Sequence, residues 1–333
     1  MKDIAVIVPV YNVYPFLSKC LDSLINQDTT CSYEVICVND GSTDHSKELL
    51  IKYSEKHPSI IKVIHQENRG VSTARNVGVS AADSKFIAFV DADDWVDQRF
   101  LQAFYERISI DSSDLVIQDV IYVNAGQTNY EKEEIRNNLF NAENHIFNKL
   151  FSLKVIKENN ISFPTDISIG EDMYFTFMML IHSKKVTKVD EAHYFYRTDR
   201  ENSAMNNSHL KKYLEINEVC GHIYQKAKEL NLDTEIQEGL EYLFLKNMVV
   251  RMIPKILKAK KFQYFSMKKM IKEQFNSFEK LHNSWEFNRV IIKDEEKYFE
   301  RKIGKKRKKQ LESLKNGKLL LFAYRICMHK ITS

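Results

Sequence analysis

Apolar runs alternate with amphipathic segments over the first hundred residues of the chain. Each run is four to six residues long and is bounded by turn residues, as in a buried strand, and the segments between the runs have apolar residues at helical spacing. The predicted strands are Ile4–Val8, Glu34–Val38, Ile60–His65 and Phe86–Val90, and the predicted helices are Val13–Gln27, a segment through Leu50 to Lys56, and Val71–Ala82. This order predicts an α/β fold in which helical crossovers join parallel strands.

Three carboxylates follow the fourth predicted strand. Phe86–Val90 runs directly into Asp91, Asp93 and Asp94, and Trp95 then restores apolar character. The carboxyl ends of strands are where open α/β sheets bind ligands. Carboxylates this close repel one another unless a cation joins them, and their oxygens suit Mg²⁺ or Mn²⁺. The pattern therefore predicts a divalent-cation site, with a solvated acidic turn as the alternative.

The familiar nucleotide-binding loops are missing from the first turn. A dinucleotide-binding domain needs G-x-G-x-x-G after the first strand, and a P-loop needs G-x-x-x-x-G-K-[ST]. The chain has Pro9–Asn12 at that place, without a glycine. We therefore expect a metal, rather than a glycine-rich loop, to handle any phosphates.

A second acidic pair, Glu171 and Asp172, precedes an apolar helix predicted over Met173–Ile181. Acids in the first turn of a helix are stabilised by the helix dipole, so a purely structural helix start is one interpretation and a chemical role the other. The segments in between are predicted as a helix over Asp97–Ile110, a strand over Leu115–Val123, a loop or insertion over Asn124–Asn141, and a helix over Glu143–Glu158.

The remainder of the chain carries most of its positive charge. Residues 251–333 contain 23 Lys and Arg against 8 Asp and Glu, whereas the other 250 residues contain 26 against 37. Helices are predicted over Leu214–Asn231 and Thr234–Lys258, followed by the cationic run Lys305–Lys309 and the amphipathic segment Lys318–Ile331. Fourteen residues are too few to cross a bilayer but enough to lie on its surface.

We therefore expect a working domain over residues 1–205 and a helical, basic region over residues 206–333 that associates with an anionic membrane surface or with a substrate of the working domain. The alternative is a last helix that packs on the working domain. Nucleic acid is not an expected partner, because the basic region has no recognised binding motif.

Composition places the chain among soluble globular proteins, with 44% hydrophobic and 28% charged residues. The apolar run near the N-terminus is too short for a signal peptide, and no run approaches the roughly 18 apolar residues of a membrane span. The five cysteines are odd in number and form no C-x-x-C pair. Free thiols in a reducing cytoplasm are the simplest explanation, so the expected location is cytoplasmic, peripheral to the inner face of the plasma membrane.

Four motifs follow one another in the first hundred residues. They are IVPVYN, VNDGSTD, N-x-G-x-S-x-A-R-N from Asn68 to Asn76, and FVDADDW. Together they resemble the inverting family-2 glycosyltransferases of the GT-A fold, of the bacterial surface-polysaccharide type. The resemblance implies a GT-A sheet, mostly parallel and flanked by helices, that binds a nucleoside diphosphate sugar, most often a UDP-sugar.

The resemblance also implies roles for single residues. Pro9 and Tyr11 would lie along the uracil, Asp40 would accept a hydrogen bond from the base, and Asn68 and Arg75 would contact the base or the phosphates. Structural alternatives remain for three of them, since Tyr11 would also serve to cap the sheet, Arg75 to pair with a surface acid, and Asp40 as a turn residue.

In the D-x-D motif, the resemblance makes Asp93 the ligand of Mn²⁺ or Mg²⁺. Asp91 would touch the ribose or support the metal, and Asp94 would support both from outside the ligand set. In the acidic pair, Asp172 would be the general base, and Glu171 would be the alternative base or would orient the acceptor.

Two further segments resemble the family. His193–Arg197 and Arg200–Ser203 match its Y-x-Y-R…S segment, a strand and loop near the donor diphosphate; the phosphate-contact candidates are Arg197, Arg200 and Ser203. His193 and His209 are either a further metal ligand or ordinary surface or core residues. Phe147–Phe151 resembles W-N-K-L-[YF], with Phe147 in place of Trp, which weakens an acceptor role for that position.

The expected function is metal-dependent, inverting transfer of one sugar from a UDP-sugar to a hydroxyl of a glycan or lipid-linked glycan, as in capsule or O-antigen synthesis. A nucleotide-sugar-binding module without catalysis and a nucleotidyltransferase are the alternatives. The sugar, the linkage and the oligomeric state are not indicated by the residues.

Overall fold

The computed structural model describes residues 1–124, 127–131, 145–167, 169–199 and 210–232, with residues 234 and 237. The chain divides into two compact units, Met1–Asn207 and Ser208–Ser333, and each is described by itself.

The first unit begins with a parallel sheet whose strand order is β3-β2-β1-β4. The alternation of strands and helices predicted for this part is confirmed. Its strands are β1 (Lys2–Val10), β2 (Tyr33–Asp40), β3 (Ile61–Gln66) and β4 (Ser84–Phe89), and its helices are α1 (Tyr14–Ile25), α2 (Ser46–Lys56) and α3 (Val71–Ala81).

Close packing on both faces explains the apolar runs of this sheet. The five residues Ile4–Val8 of β1 are fully buried, as expected for a parallel strand covered on both sides. Helix α3 approaches β1 so closely that a Cβ atom on Gly78 would lie 2.5 Å from Cγ2 of Ile7. Glycine at this position therefore sets the distance between helix and sheet.

The second part of the sheet mixes parallel and antiparallel pairs. Strand β4 pairs antiparallel with β8, β8 antiparallel with β6, β6 parallel with β9, and β9 antiparallel with β5, while β7 pairs with β6. Its strands are β5 (Trp95–Val96), β6 (Leu115–Asn124), β7 (Gln127–Glu131), β8 (Lys149–Ser152) and β9 (Val186–Arg197), and its helices are α4 (Phe100–Asp111), α5 (Leu153–Glu158) and α6 (Glu171–His182).

These pairings make β9 run in the same direction as β4, because two antiparallel steps and one parallel step separate the two strands. The carboxyl ends of β1, β2, β4 and β9 therefore lie at one edge of the sheet. That edge is the place where the predicted acidic and polar residues are brought together.

Two predicted elements in the second part of the sheet are wrong. The segment Glu143–Glu158 is not one helix, because Lys149–Ser152 forms β8 and only Leu153–Glu158 is helical. The backbone of β8 hydrogen-bonds to strands on both sides, and this pairing outweighs local helical preference. Within the predicted loop Asn124–Asn141, Gln127–Glu131 forms a hairpin strand with β6, and residues 125–126 and 132–141 lie outside the described residues.

The described part of the second unit is mainly the helix α7 (Leu210–Glu229), which confirms the helix predicted over Leu214–Asn231. One side of α7 is buried, at Val219, Ile223, Tyr224 and Ala227. The other C-terminal elements that were predicted, including Lys305–Lys309 and Lys318–Ile331, lie outside the described residues. Among the helices that are described, none is long and apolar enough to cross a membrane.

Candidate active site

The acidic turn after β4 is attached to the end of β9. Within the turn, the Asp94 N–H donates to the Asp91 carbonyl at 3.0 Å. The Tyr194 hydroxyl on β9 donates to Asp94 Oδ2 at 2.7 Å and accepts from the Asp91 N–H at 3.1 Å. The Arg197 N–H donates to Asp94 Oδ1 at 2.7 Å. These bonds hold the D-x-D motif at the edge where β4 and β9 end.

Asp94 is a buried link between the turn and β9. Only 2% of the residue is exposed, and both of its carboxylate oxygens accept hydrogen bonds from β9. Burial, and then the charges of Asp91 and Asp93, raise the pKa of Asp94 well above its ordinary value. Because both of its carboxylate oxygens accept hydrogen bonds, Asp94 supports the turn, and Asp91 and Asp93 are the two carboxylates of the D-x-D motif itself.

A single buried guanidinium joins the turn to the second acidic pair. Arg75 on α3 is 4% exposed, and its Nη2 lies 3.2 Å from Asp91 Oδ1. Its Nη1 lies 3.1 Å from Glu171 Oε1 and 2.6 Å from Asp172 Oδ1. Three carboxylates raise the pKa of Arg75 despite its burial, so the guanidinium stays charged. The pairing with acids that was the predicted alternative for Arg75 is present in the structure, and these acids are partly buried rather than on the surface.

The second acidic pair lies in the first turn of α6, which begins at Glu171. Burial is the largest cause that raises the pKa of Asp172 to about 8, and the charges of Glu171 and Asp91 act in the same direction while Arg75 opposes them. A carboxyl group whose pKa lies near 8 is suited to accept and release a proton during a reaction.

Carboxylates are concentrated around Arg75 in this site. Arg75 faces three carboxylates, and Asp93 follows in the same turn. No three His, Cys, Asp or Glu side chains converge as a ready metal site in the part of the chain that is described. Mg²⁺ is usually bound through one or two carboxylates and completed by substrate phosphates and water. Asp91 and Asp93 therefore fit a cation that binds together with a diphosphate.

The predicted nucleotide-binding residues lie at the same sheet edge. Pro9 is the second-last residue of β1, and Tyr11, just beyond the strand, is 46% exposed. Asn68 is exposed in the turn after β3. A Cβ atom on Gly41, which has φ +69°, would lie 2.7 Å from the Asn68 N atom, so only glycine allows the loops after β2 and β3 to come this close.

Asp40 at the end of β2 holds the turn that carries Asn68. Its Oδ1 accepts from the Arg69 N–H at 2.8 Å and from Gln66 Nε2 at 2.6 Å, and its Oδ2 accepts from the Gly70 N–H at 2.9 Å. Asp40 is 3% exposed. The turn role, foreseen as an alternative for Asp40, is therefore present in the structure.

Arg197 lies beside the acidic turn, on the side of α1. Its Nε donates to the Asp93 carbonyl at 2.9 Å, and its guanidinium lies 4.8 Å from the ring centre of Phe16 and 5.1 Å from that of Trp95. Lys19 Nζ lies 3.1 Å from the same Trp95 ring centre. Arg197 is thus a cation next to the proposed diphosphate position. Arg200, Ser203 and His209 lie outside the described residues.

His193 is not arranged as a metal ligand, and that hypothesis is wrong. Its Nδ1 lies 2.8 Å from Asp97 Oδ2, and its Nε2 lies 3.0 Å from Glu191 Oε2. Both ring nitrogens therefore have carboxylate partners, and these carboxylates raise the pKa of His193 even though burial opposes the change.

The residue that the sequence reasoning missed is Tyr194. Its ring is fully buried, and its hydroxyl forms hydrogen bonds with both ends of the acidic turn, at the Asp91 N–H and at Asp94 Oδ2. The sequence signal that would have identified Tyr194 is the spacing of the tyrosines in Tyr194-Phe195-Tyr196, because alternate residues of a strand share a face.

Residues 5–168 match the family described as Glycosyl transferase family 2. The poly(ribitol-phosphate) beta-glucosyltransferase of Bacillus spizizenii is 28% identical over 279 residues, which are 79% of this chain and 44% of that protein. The chain thus spans less than half the length of this relative.

Two solved structures share the fold. S. aureus TarS 1-349 in complex with UDP-GlcNAc has a TM-score of 0.70 and 24% identity over 84% of this chain and 81% of that chain. The mannosyltransferase PcManGT from Pyrobaculum calidifontis, in complex with GDP-Man and Mn²⁺, has a TM-score of 0.52 and 15% identity over 86% and 88%. The predicted GT-A fold is therefore confirmed.

Arg75 provides a test of this arrangement by unfolding. We expect Arg75→Met to lower the free energy of unfolding by about 3–5 kcal/mol at pH 8, because it leaves buried carboxylates without their cation. The loss should be smaller at pH 5, because burial raises the pKa values of Asp91 and Asp172 and these two carboxyl groups take up protons more readily once the guanidinium is gone. Urea unfolding followed by circular dichroism at both pH values measures the difference.

The matched control is Arg99→Met, which removes an arginine whose ion pair with Glu106 is 51% exposed on both sides. An exposed pair of this kind contributes about 0–1 kcal/mol. Equal losses for the two variants, at both pH values, would contradict the role given to Arg75.

Proposed function

Because this chain belongs to glycosyltransferase family 2, we propose that it is a metal-dependent inverting glycosyltransferase that moves one sugar from a UDP-sugar to a hydroxyl of a glycan or lipid-linked glycan acceptor. The observation that carries the proposal is the contact of Arg75 with both Asp91 and Asp172. One side chain thereby holds the D-x-D turn, where the donor diphosphate would bind, beside a carboxyl group suited to act as a base.

The chemistry is a single displacement at the anomeric carbon. The acceptor oxygen forms a bond to that carbon while the bond from the carbon to the UDP oxygen breaks, which inverts the configuration. Asp172 accepts the proton that the acceptor hydroxyl loses. Glu171 is the alternative base, and in the main proposal it orients the acceptor and shares Arg75 with Asp172.

The donor side of the site would be formed by residues at the ends of β1, β2, β3, β4 and β9. We propose that Pro9, Tyr11, Asp40 and Asn68 receive the uracil. Asp93, supported by Asp91, would hold Mn²⁺ or Mg²⁺, which supplies charge stabilisation for the departing diphosphate.

Three arginines and one serine have separate places in this proposal. Arg197 would contact the diphosphate, which its position beside Asp93 supports. For Arg200 and Ser203, the proposed contacts with the phosphates are supported only by the resemblance of their segment to the family. Arg75 acts through Asp91 and Asp172, because its guanidinium is buried against their carboxylates.

For the acceptor, we propose a polymer of the bacterial cell surface, of the capsule, O-antigen or teichoic-acid type. The support is the family of the chain and its similarity to the Bacillus spizizenii protein, which is named a poly(ribitol-phosphate) beta-glucosyltransferase. The sugar itself depends on the shape of the pocket.

Release of the nucleotide provides the first test. We expect the purified protein, with Mn²⁺, to release UDP slowly from one member of a panel of UDP-sugars, and a chelator should stop this release. Asp93→Ala and Asp172→Asn should each lower the rate by about 10²-fold or more, because one loses the cation and the other the base. The measurement is a coupled assay for free UDP, and a parallel panel of GDP-sugars tests the nucleotide.

Asp190→Asn is the control for Asp172→Asn, since the Asp190 side chain is 81% exposed. It should leave the rate unchanged. Tight binding of UDP without any release, even with candidate acceptors, would instead support a binding module without catalysis, and release of pyrophosphate would support a nucleotidyltransferase.

The acidic side of the plot of kcat/KM against pH should reveal the pKa of the general base. Since the pKa of Asp172 is raised to about 8, we expect kcat/KM to increase tenfold per pH unit below about pH 8 and to level off above it. Glu171→Gln removes a negative charge that raises this pKa, so the inflection should move to lower pH. Initial rates from pH 5.5 to pH 10 measure both curves.

Glu106→Gln serves as the control because it removes an exposed carboxylate from α4. If Glu171→Gln abolishes turnover at every pH while Asp172→Asn does not, the base is Glu171. An inflection that stays in place in Glu171→Gln would contradict the electrostatic coupling of the pair.

We also propose that the protein is cytoplasmic and associates with the inner face of the plasma membrane through residues 206–333. The charge excess of residues 251–333 supports an anionic partner, and the buried free thiols of Cys20, Cys31 and Cys37 suit a reducing compartment. Each Lys or Arg near an anionic leaflet contributes about 1 kcal/mol to binding.

Vesicle flotation tests the membrane proposal. We expect the full chain to float with vesicles that contain phosphatidylglycerol, but not with purely zwitterionic vesicles or at high salt. Replacement of Lys305–Lys309 by glutamine should weaken the binding at least tenfold, and the same number of glutamine replacements at exposed lysines of residues 1–205 should not. Unchanged binding of the first variant would refute the role of the cationic run.

A further inference from the structure

Tyr196 is the second tyrosine on the face of β9 that meets the acidic turn. Residues 194 and 196 share a face of the strand because side chains alternate. The Tyr194 hydroxyl bonds the Asp91 N–H and Asp94 Oδ2. Tyr196 lies two residues farther along β9, nearer to the carboxyl edge where ligands bind in α/β sheets. Arg197, which follows it, bonds the Asp93 carbonyl.

Neighbouring rings fix the orientation of Tyr196. Its ring stacks on Phe147, with centroids 5.1 Å apart and planes 19° apart, and Phe147 also stacks on Tyr194 at 4.5 Å and 20°. The two tyrosine rings are thus nearly parallel to the same partner. Tyr122 meets the other side of Tyr196 edge-on at 5.4 Å. These contacts hold the phenol in one place without using its hydroxyl.

The Tyr196 hydroxyl has no hydrogen-bond partner among the residues that the structure describes. Its partly buried ring is in contact with the core, where a phenol usually finds a partner for its hydroxyl. Burial raises the pKa of Tyr196 above its ordinary value, and the negative charges of Asp91, Asp94, Asp93 and Asp172 act in the same direction. The hydroxyl therefore remains protonated, on a residue that lies between Tyr194 and Arg197, both of which bond the D-x-D turn.

We propose that the Tyr196 hydroxyl binds the donor substrate, by donating a hydrogen bond to an oxygen of the transferred sugar or of the diphosphate. This inference rests on the proposed function, because it places a sugar nucleotide between the acidic turn and Asp172. The place of Tyr196 on β9, between two residues that bond the D-x-D turn, favours the donor over the acceptor. A neutral phenol is also suited to a crowded acidic site, since it donates a hydrogen bond without adding negative charge.

Isothermal titration calorimetry with UDP and with the UDP-sugar, both in the presence of Mn²⁺, tests the proposal on the full chain. Tyr196→Phe keeps the stacked ring and removes only the hydroxyl, and it should weaken binding of the UDP-sugar about tenfold, the effect expected for one lost hydrogen bond to a bound ligand. An equal loss for UDP would place the contact on the diphosphate, and a loss confined to the UDP-sugar would place it on the sugar.

Tyr122→Phe is the matched control, because it removes a phenol hydroxyl from the ring beside Tyr196, and both affinities should stay within twofold of the wild-type values. Affinities within twofold for Tyr196→Phe as well would overturn the proposal, whatever happens to turnover. If the wild-type protein bound neither UDP nor GDP and none of their sugars, the proposed function would fail and this inference with it. Urea midpoints of both variants check that the fold is retained.

Discussion

The buried guanidinium of Arg75 is the interaction on which the site depends. It contacts Asp91, Glu171 and Asp172, which come from two segments some eighty residues apart in the chain. Without a cation, three carboxylates would not be buried so close together in charged form. The same contact sets the chemistry, because Arg75 opposes the burial that raises the pKa of Asp172 and so keeps this carboxyl group able to titrate near neutral pH.

Strand β9 is the second support of the site. It runs in the direction of β4, and through Tyr194 and Arg197 it bonds the turn that carries Asp91, Asp93 and Asp94. The α3 helix holds one side of the acidic cluster and β9 holds the other. A divalent cation that binds with a donor diphosphate would therefore meet carboxylates that are already held in place, so little ordering is needed on binding.

The predictions from the sequence succeeded where a local pattern and the tertiary environment agree. The apolar runs of β1 to β4 and the helices between them were predicted because both faces of this sheet are covered. The sequence pattern failed at Lys149–Ser152, which was predicted as helix but forms a strand because it pairs with β4 and β6. It also failed at Gln127–Glu131, a polar segment that forms a strand because it pairs with β6. Neither pairing leaves a local signal, because the partners are distant in the chain.

The residues themselves determined that the chain has an α/β architecture, that carboxylates follow a buried strand, and that its motifs resemble a glycosyltransferase family, since strand periodicity and motif spacing are properties of nearby residues. Only the tertiary structure decided which charges meet. It placed Arg75 between Asp91 and Asp172. It also brought a carboxylate to each ring nitrogen of His193 and joined the Tyr194 hydroxyl to the acidic turn by hydrogen bonds. Contacts of this kind depend on how distant strands and helices pack, and the energy of a buried charge depends on all the groups around it, which no local pattern contains.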